Sequence, residues 1–132
     1  MAKRKNSNNS SGYTPKKFET NEYNNVLSAN IYLDMLTSPA WIDTPKNARL
    51  LYIYAKAQFW GVKEHPQNRQ DYFYLNKSLV VDIYKLYTNT SQFRKDINEL
   101  IKHGFIELVE NGKFTRTKNI YKYSDKWKTW SK

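Results

Sequence analysis

Residues 89–123 read NTSQFRKDINELIKHGFIELVENGKFTRTKNIYKY. Phe93, Ile97, Leu100 and Ile101 recur at i, i+4, i+7 and i+8, which places one continuous apolar stripe along a helix. Gly104 stops that helix. Phe105 to Glu110 then reads as a strand, Asn111-Gly112 is a strong hairpin signal, and Ile120 to Tyr123 is the returning strand. Between them, Lys113 to Asn119 forms a polar, basic tip. A helix running into a hairpin is therefore the expected C-terminal half.

Working backwards, Tyr87 to Thr90 is a turn rich in capping residues. Before it, Asn76 caps a helix through Ser78 to Tyr84, with Leu79, Val80 and Ile83 on one apolar face. Tyr72-Phe73-Tyr74-Leu75 reads as a short aromatic strand, and residues 62–71 as a polar loop. The run Ala48 to Trp60 is apolar on most sides and predicts a central buried helix, opened by Thr44 as cap with Pro45 in the first turn and closed by Gly61. Upstream, a helix is expected from Ser28 to Ser38-Pro39, carrying Ile31, Leu33, Met35 and Leu36. Trp41 and Ile42 then read as anchors into the core.

The predicted order is helix, helix, short strand, helix, turn, helix, hairpin. It implies an α+β, mainly α, fold laid out as a winged helix-turn-helix with a C-terminal β-hairpin wing. Two helices joined by a short turn bury their stripes on a third and leave the polar face of the second exposed. Residues 23–132 are assigned to this domain. Residues 1–22 are dominated by Asn, Ser and Lys, hold only two aromatics, and read as a disordered basic arm.

Charge agrees with that division. The 132 residues hold 22 Lys+Arg and 12 Asp+Glu, for a net charge of +10. Residues 1–22 are net +3, residues 23–84 net +1 and residues 85–132 net +6. Surplus lysine for solubility has no need of that asymmetry, whereas a polyanionic partner does. There are no cysteines, which excludes disulfides, thiol chemistry and Cys-ligated zinc. No apolar run approaches the roughly 20 residues of a membrane span. The basic start has no apolar stretch behind it to make a secretory signal. The expectation is a cytoplasmic protein without membrane contact.

With the helical stripe centred near Ile97, Ser91, Lys95, Asn98 and Lys102 turn outward and Arg94 sits on the shoulder. Asn89 and Thr90 lead into them. Lys and Arg here would meet phosphates or guanine edges, and Asn98 would read adenine. Asp96 and Glu99 are expected to point elsewhere and balance nearby lysines. In the hairpin tip, Lys113, Arg116, Thr117 and Lys118 would lie along the backbone or send an arginine into the minor groove. Lys3, Arg4, Lys5, Lys16 and Lys17 are the arm's candidate phosphate contacts. The expected partner is double-stranded DNA, bound by a monomer or homodimer. Trp127 and Trp130, in the basic segment Lys126 to Trp130, are expected to pack back on the first helix, with stacking on exposed bases or on a protein partner as the alternative.

Catalysis has little to work with. His65 and His103 have no neighbours at metal-ligand spacing, no Gly-rich phosphate loop is present, and the tyrosines read mostly as core. Asp71 and Glu64 stand in a loop without apolar surroundings. The expectation is a non-enzyme without metal or cofactor.

Residues 73–123 resemble the winged-helix domain of proteins carried by Gram-positive plasmids, conjugative elements and phages. The resemblance rests on Phe73-Tyr74-Leu75-Asn76-Lys77, Gln92-Phe93-Arg94-Lys95-Asp96-Ile97, His103-Gly104-Phe105-Ile106-Glu107, Gly112-Lys113 and Asn119-Ile120-Tyr121. The Leu50-Leu51-Tyr52 helix also fits, so that it spans roughly residues 40–125. Some such proteins resemble the N-terminal domain of plasmid replication initiators, and others are relaxosome accessory factors that bind an origin of transfer. The resemblance implies duplex DNA binding and, for an accessory factor, a relaxase or other DNA-processing protein as second partner. Because the chain ends just after the wing, the accessory role is the expectation. A transcriptional regulator, a replication-origin binder and a protein-interaction adaptor of the same fold are the alternatives.

Overall fold

A computed structural model describes residues 29–57, 65–112 and 118–132, and in them the chain is an α+β fold. Three helices come first: α1 (Leu33–Leu36), α2 (Pro39–Asp43) and α3 (Lys46–Lys56). The first helix is thus much shorter than its apolar residues suggested. Ser38-Pro39 ends it as expected, but the same pair opens α2. The Ser38 hydroxyl donates to Met35 O at 2.6 Å and accepts the Trp41 N–H at 3.2 Å, while Pro39 occupies a first-turn position that has no N–H partner to lose. Trp41 is buried as expected, whereas Ile42 on the far side of this short helix is 64% exposed and anchors nothing. Thr44 does not cap α3. Its hydroxyl reaches back to Ala40 O at 2.6 Å and closes α2, leaving Pro45 at the head of α3.

On α3, Ala48, Leu51, Tyr52 and Ala55 are buried and Leu50 is exposed, so this helix has one solvent side. Ser28 and residues 58–61, the expected cap and the end of this run, lie outside the described residues. A short 3₁₀ turn, Pro66–Asn68, leads into β1 (Tyr72–Tyr74). Next comes a wide π-helical segment, Ser78–Ile83, capped as expected by Asn76, whose Oδ1 accepts the Leu79 N–H at 3.1 Å. Only part of its expected apolar face is inside. Val80 is buried but Ile83 is 66% exposed, because the wider turn rotates it away from Leu79 and Val80. The chain reverses at Lys85, φ +55°, which returns the Leu86 N–H to Val80 O at 2.8 Å.

Helix α4 (Thr90–Lys102) is capped by Asn89, whose Oδ1 accepts the Ser91 N–H at 2.9 Å. It buries Phe93, Ile97 and Leu100 against α3 and the sheet, while Ile101, the fourth member of the expected stripe, stays 37% exposed. The strands β2 (Ile106–Glu110) and β3 (Ile120–Tyr123) form the hairpin, with a bulge between Leu108 and Glu110. β1 pairs antiparallel with β3, so the sheet order is β1-β3-β2. The two strands pair as the expected hairpin. Asn119 closes the base of their connection by accepting the Gly112 N–H at 2.9 Å.

The core is aromatic. Phe105 has its ring centroid 5.5 Å from Trp41, 5.4 Å from Tyr52 and 6.0 Å from Trp127. Phe73 stacks at 4.4 Å on Tyr123, whose hydroxyl donates to Ala55 O at 2.8 Å. Each such ring pair adds about 0.5–1.5 kcal/mol beyond the area it buries. The segment Lys126–Thr129 is a 3₁₀ turn that carries Trp127 onto Phe105 and Trp130 onto His103, at 4.9 Å. Both tryptophans are therefore half-buried core residues. Their main partners lie after α4 and not in the first helix. His103, expected at a helix end without special neighbours, is fully buried. Its Nδ1 donates to Glu99 O at 2.7 Å and its Nε2 meets Asp43 Oδ2 at 2.8 Å, joining the ends of α2 and α4.

Two stability effects follow. Gly104 sits at φ +85°, and an added Cβ would stand 2.5 Å from the Trp127 backbone nitrogen. Gly104→Ala should cost at least ~2 kcal/mol, from left-handed strain plus displacement of residues 126–127, read as a lower urea midpoint. The His103 hydrogen bond, with Lys132 beside it, holds the Asp43 carboxyl below its ordinary value of 3.8. A depressed carboxyl stabilises the fold fully above its unfolded value and loses that contribution as pH falls through the lower folded one. Acid titration of stability should therefore show a loss below about pH 3.8 that His103→Gln diminishes. Identical acid limbs for both proteins would refute the link.

Candidate nucleic-acid interface

The capped start of α4 and the apolar seam formed by Phe93, Ile97 and Leu100 fix which residues of this helix face out. Ser91, Arg94, Lys95, Asn98 and Lys102 are all exposed, as the periodicity predicts, and Thr90 is half-buried beside the Asn89 cap. They do not form a single site. Arg94 and Asn98 line an open groove of about 560 Å³ between α4 and the hairpin, together with Thr90 and with Lys118 from the base of the hairpin loop. Ser91, Lys95 and Lys102 are not among its lining residues and occupy the outer face. Lys118 rests its ammonium 5.4 Å from the Tyr74 ring centroid, which steers the side chain along β1. Lys113, Arg116 and Thr117, and the arm residues Lys3, Arg4, Lys5, Lys16 and Lys17, lie outside the described residues.

The groove also holds groups that periodicity did not single out. Asn76 and Lys77, at the entry to the π-helical segment, face α4 across it. A cation one residue past a cap is ordinary in sequence, and only the packing of the two helical segments brings it opposite Arg94. Ile101 and Leu108 line the same groove at 37% and 44% exposure. Among the described lining residues there is no carboxylate.

The acids of α4, Asp96 and Glu99, have partners of their own. Asp96, expected to balance lysines on the surface, is 1% exposed. Its carboxylate accepts the Tyr87 hydroxyl at 2.6 Å and the Gln92 amide at 3.0 Å. Burial, then this hydrogen bond, pushes the Tyr87 hydroxyl well above its usual range, so it stays protonated as the donor. Glu99, expected to play the same balancing part, lies 3.6 Å from His103 Nδ1. Asp71 pairs with Arg69 at 3.2 Å. Among the described residues, no group of three or more His, Asp or Glu side chains is arranged to hold a metal ion. Nor is any helix there long and apolar enough to cross a membrane.

No protein-family model, curated protein or solved structure matches the chain.

Because Tyr87 belongs to the turn and Asp96 to α4, their hydrogen bond sets how the helix start sits beside that turn. Tyr87→Phe removes a donor from a buried carboxylate and should lower stability by about 1–3 kcal/mol. A change under ~0.5 kcal/mol in urea unfolding would show that Gln92 or water satisfies Asp96 without it.

Proposed function

We propose that this chain is a sequence-specific double-stranded DNA-binding protein with a winged helix-turn-helix architecture. The supporting order is a helical segment (Ser78–Ile83), a reversal, α4 and then a hairpin whose return strand pairs with β1. In this reading α4 enters the major groove and the hairpin is the wing. The observation that carries the proposal is the groove itself. Lys77, Arg94, Asn98 and Lys118 converge on it from three separate stretches of chain, with no carboxylate among its described lining residues. Cations hold phosphates and fix the register, while Asn98, flanked by Arg94 one turn earlier, is placed to read a base edge.

The resemblance of residues 73–123 to winged-helix proteins of mobile elements supports an accessory role in conjugative transfer at an origin of transfer, beside a relaxase. Transcriptional control and replication-origin binding are the related roles. Duplex fragments from an origin of transfer, an origin of replication and promoters would rank them by affinity.

Arg94→Ala/Asn98→Ala should cost about 1–3 kcal/mol on the preferred duplex and narrow its advantage over unrelated sequence. Lys118→Ala should weaken all duplexes about equally and reduce the slope of log K against log salt by about 1. A folded double variant with unchanged affinity and selectivity would remove α4 from the reading surface.

A further inference from the structure

We propose that the groove between α4 and the hairpin holds the sugar-phosphate backbone of one DNA strand, with its deoxyribose on Ile101 and Leu108, and that this contact selects DNA over RNA. The inference rests on the duplex-DNA reading above and adds to it the part of the nucleotide that the groove recognises. On B-DNA the major and minor grooves are separated by one backbone. A helix in the first and a hairpin in the second therefore straddle that backbone, and the space between them receives it.

The lining of the groove fits such an occupant part by part. Its rim carries Lys77, Arg94 and Lys118, and phosphates need cations. Its deeper lining is Leu75, Phe93, Ile97 and Tyr121, all buried, while Ile101 and Leu108 stand exposed at 37% and 44% although both are large and apolar. A groove for phosphates alone has no use for these two exposed apolar side chains. Deoxyribose supplies the matching apolar surface, since C2′ bears only hydrogens. A ribose would press its 2′-hydroxyl against these two side chains, which offer no hydrogen-bond partner. The nearby Asn119 is held in place against the hairpin base, its Oδ1 accepting the Gly112 N–H at 2.9 Å and its Nδ2 donating to the Tyr121 hydroxyl at 3.3 Å. A hydroxyl buried without a partner costs binding, and the 2′-hydroxyl is the group by which proteins distinguish RNA from DNA.

The test starts from a duplex selected from a random library by the full chain. Single ribonucleotides are then introduced one position at a time along both strands, and binding is measured at fixed salt. The wild type should lose about fivefold or more at one or two adjacent positions of one strand. Leu108→Thr, which suits a strand, and Ile101→Gln, which suits a helix, each supply a polar partner and should reduce that loss to twofold or less. Circular dichroism verifies that both variants fold. Duplex binding without any ribonucleotide-sensitive position, or with sensitivity unchanged in both variants, overturns this inference and leaves the DNA reading standing. Duplex binding by the two variants that equals wild type at every substituted position assigns the groove to another occupant, such as an acidic amphipathic segment of a protein, and overturns it too. No saturable binding to any duplex at low salt overturns both readings.

Discussion

At Gly104 the chain leaves a helix and turns toward a strand, with other backbone packed against the face where a side chain would grow. The left-handed φ of +85° makes the turn possible, and its carbonyl accepts the Trp127 N–H at 3.0 Å. On one side His103 ties the end of α4 to Asp43. On the other, Phe105 fills the middle of the aromatic core, its N–H returning to Leu100 O and its carbonyl taking the Ser124 N–H. Three consecutive residues thus set the angle at which the hairpin departs from the helix. The groove between them has its shape from that angle, so everything placed in the groove depends on a corner that touches none of it.

The middle of α4 is tied to the preceding turn by a different kind of contact. Asp96 is a carboxylate buried without a cation, accepting instead from Tyr87 and Gln92. Such a group is poor stabilisation compared with an apolar side chain of equal volume, and it gains value only where direction matters. Here the direction is the seat of α4 against the turn that precedes it. A hydrophobic pair would tolerate sliding along the helix, whereas a 2.6 Å hydrogen bond does not.

Much of this was legible in the sequence because it is written locally. The stripe of α4, the Asn76 cap, the capping turn before α4, the stop at Gly104 and the three strands each depend on residues within a few positions of one another. The errors share a different cause. Ile42 and Ile83 are apolar and so point inward by sequence, yet a five-residue helix and a π-helical turn point them out. Thr44 and Asp96 were read by their usual partners along the chain, whereas their actual acceptor and donors follow from how short α2 is and how Tyr87 returns. His103 looked unremarkable because Asp43 is 60 positions away. The site was half legible for the same reason. Helical spacing exposed Arg94 and Asn98, but nothing local shows that Lys77, Ile101 and Leu108 share their groove.

The distribution of charge then acquires a structural cause. Residues 85–132 are basic by composition, but composition alone leaves their acids free to neutralise the surface. The fold gives three of these five acids partners of their own. Asp96 is engaged by Tyr87, Glu99 lies against His103, and the Ser124 hydroxyl, with Lys126 and Lys122 beside it, holds the Glu107 carboxyl below its usual range. Among the described residues, no ion pair joins Lys77, Arg94, Lys95, Lys102 or Lys118 to a carboxylate. Glu107 takes up Lys122 and Lys126, while Asp96 and Glu99 are engaged by residues other than the groove cations. The contacts that position α4 thus also set where its acids sit, away from the groove whose described lining holds cations and no carboxylate.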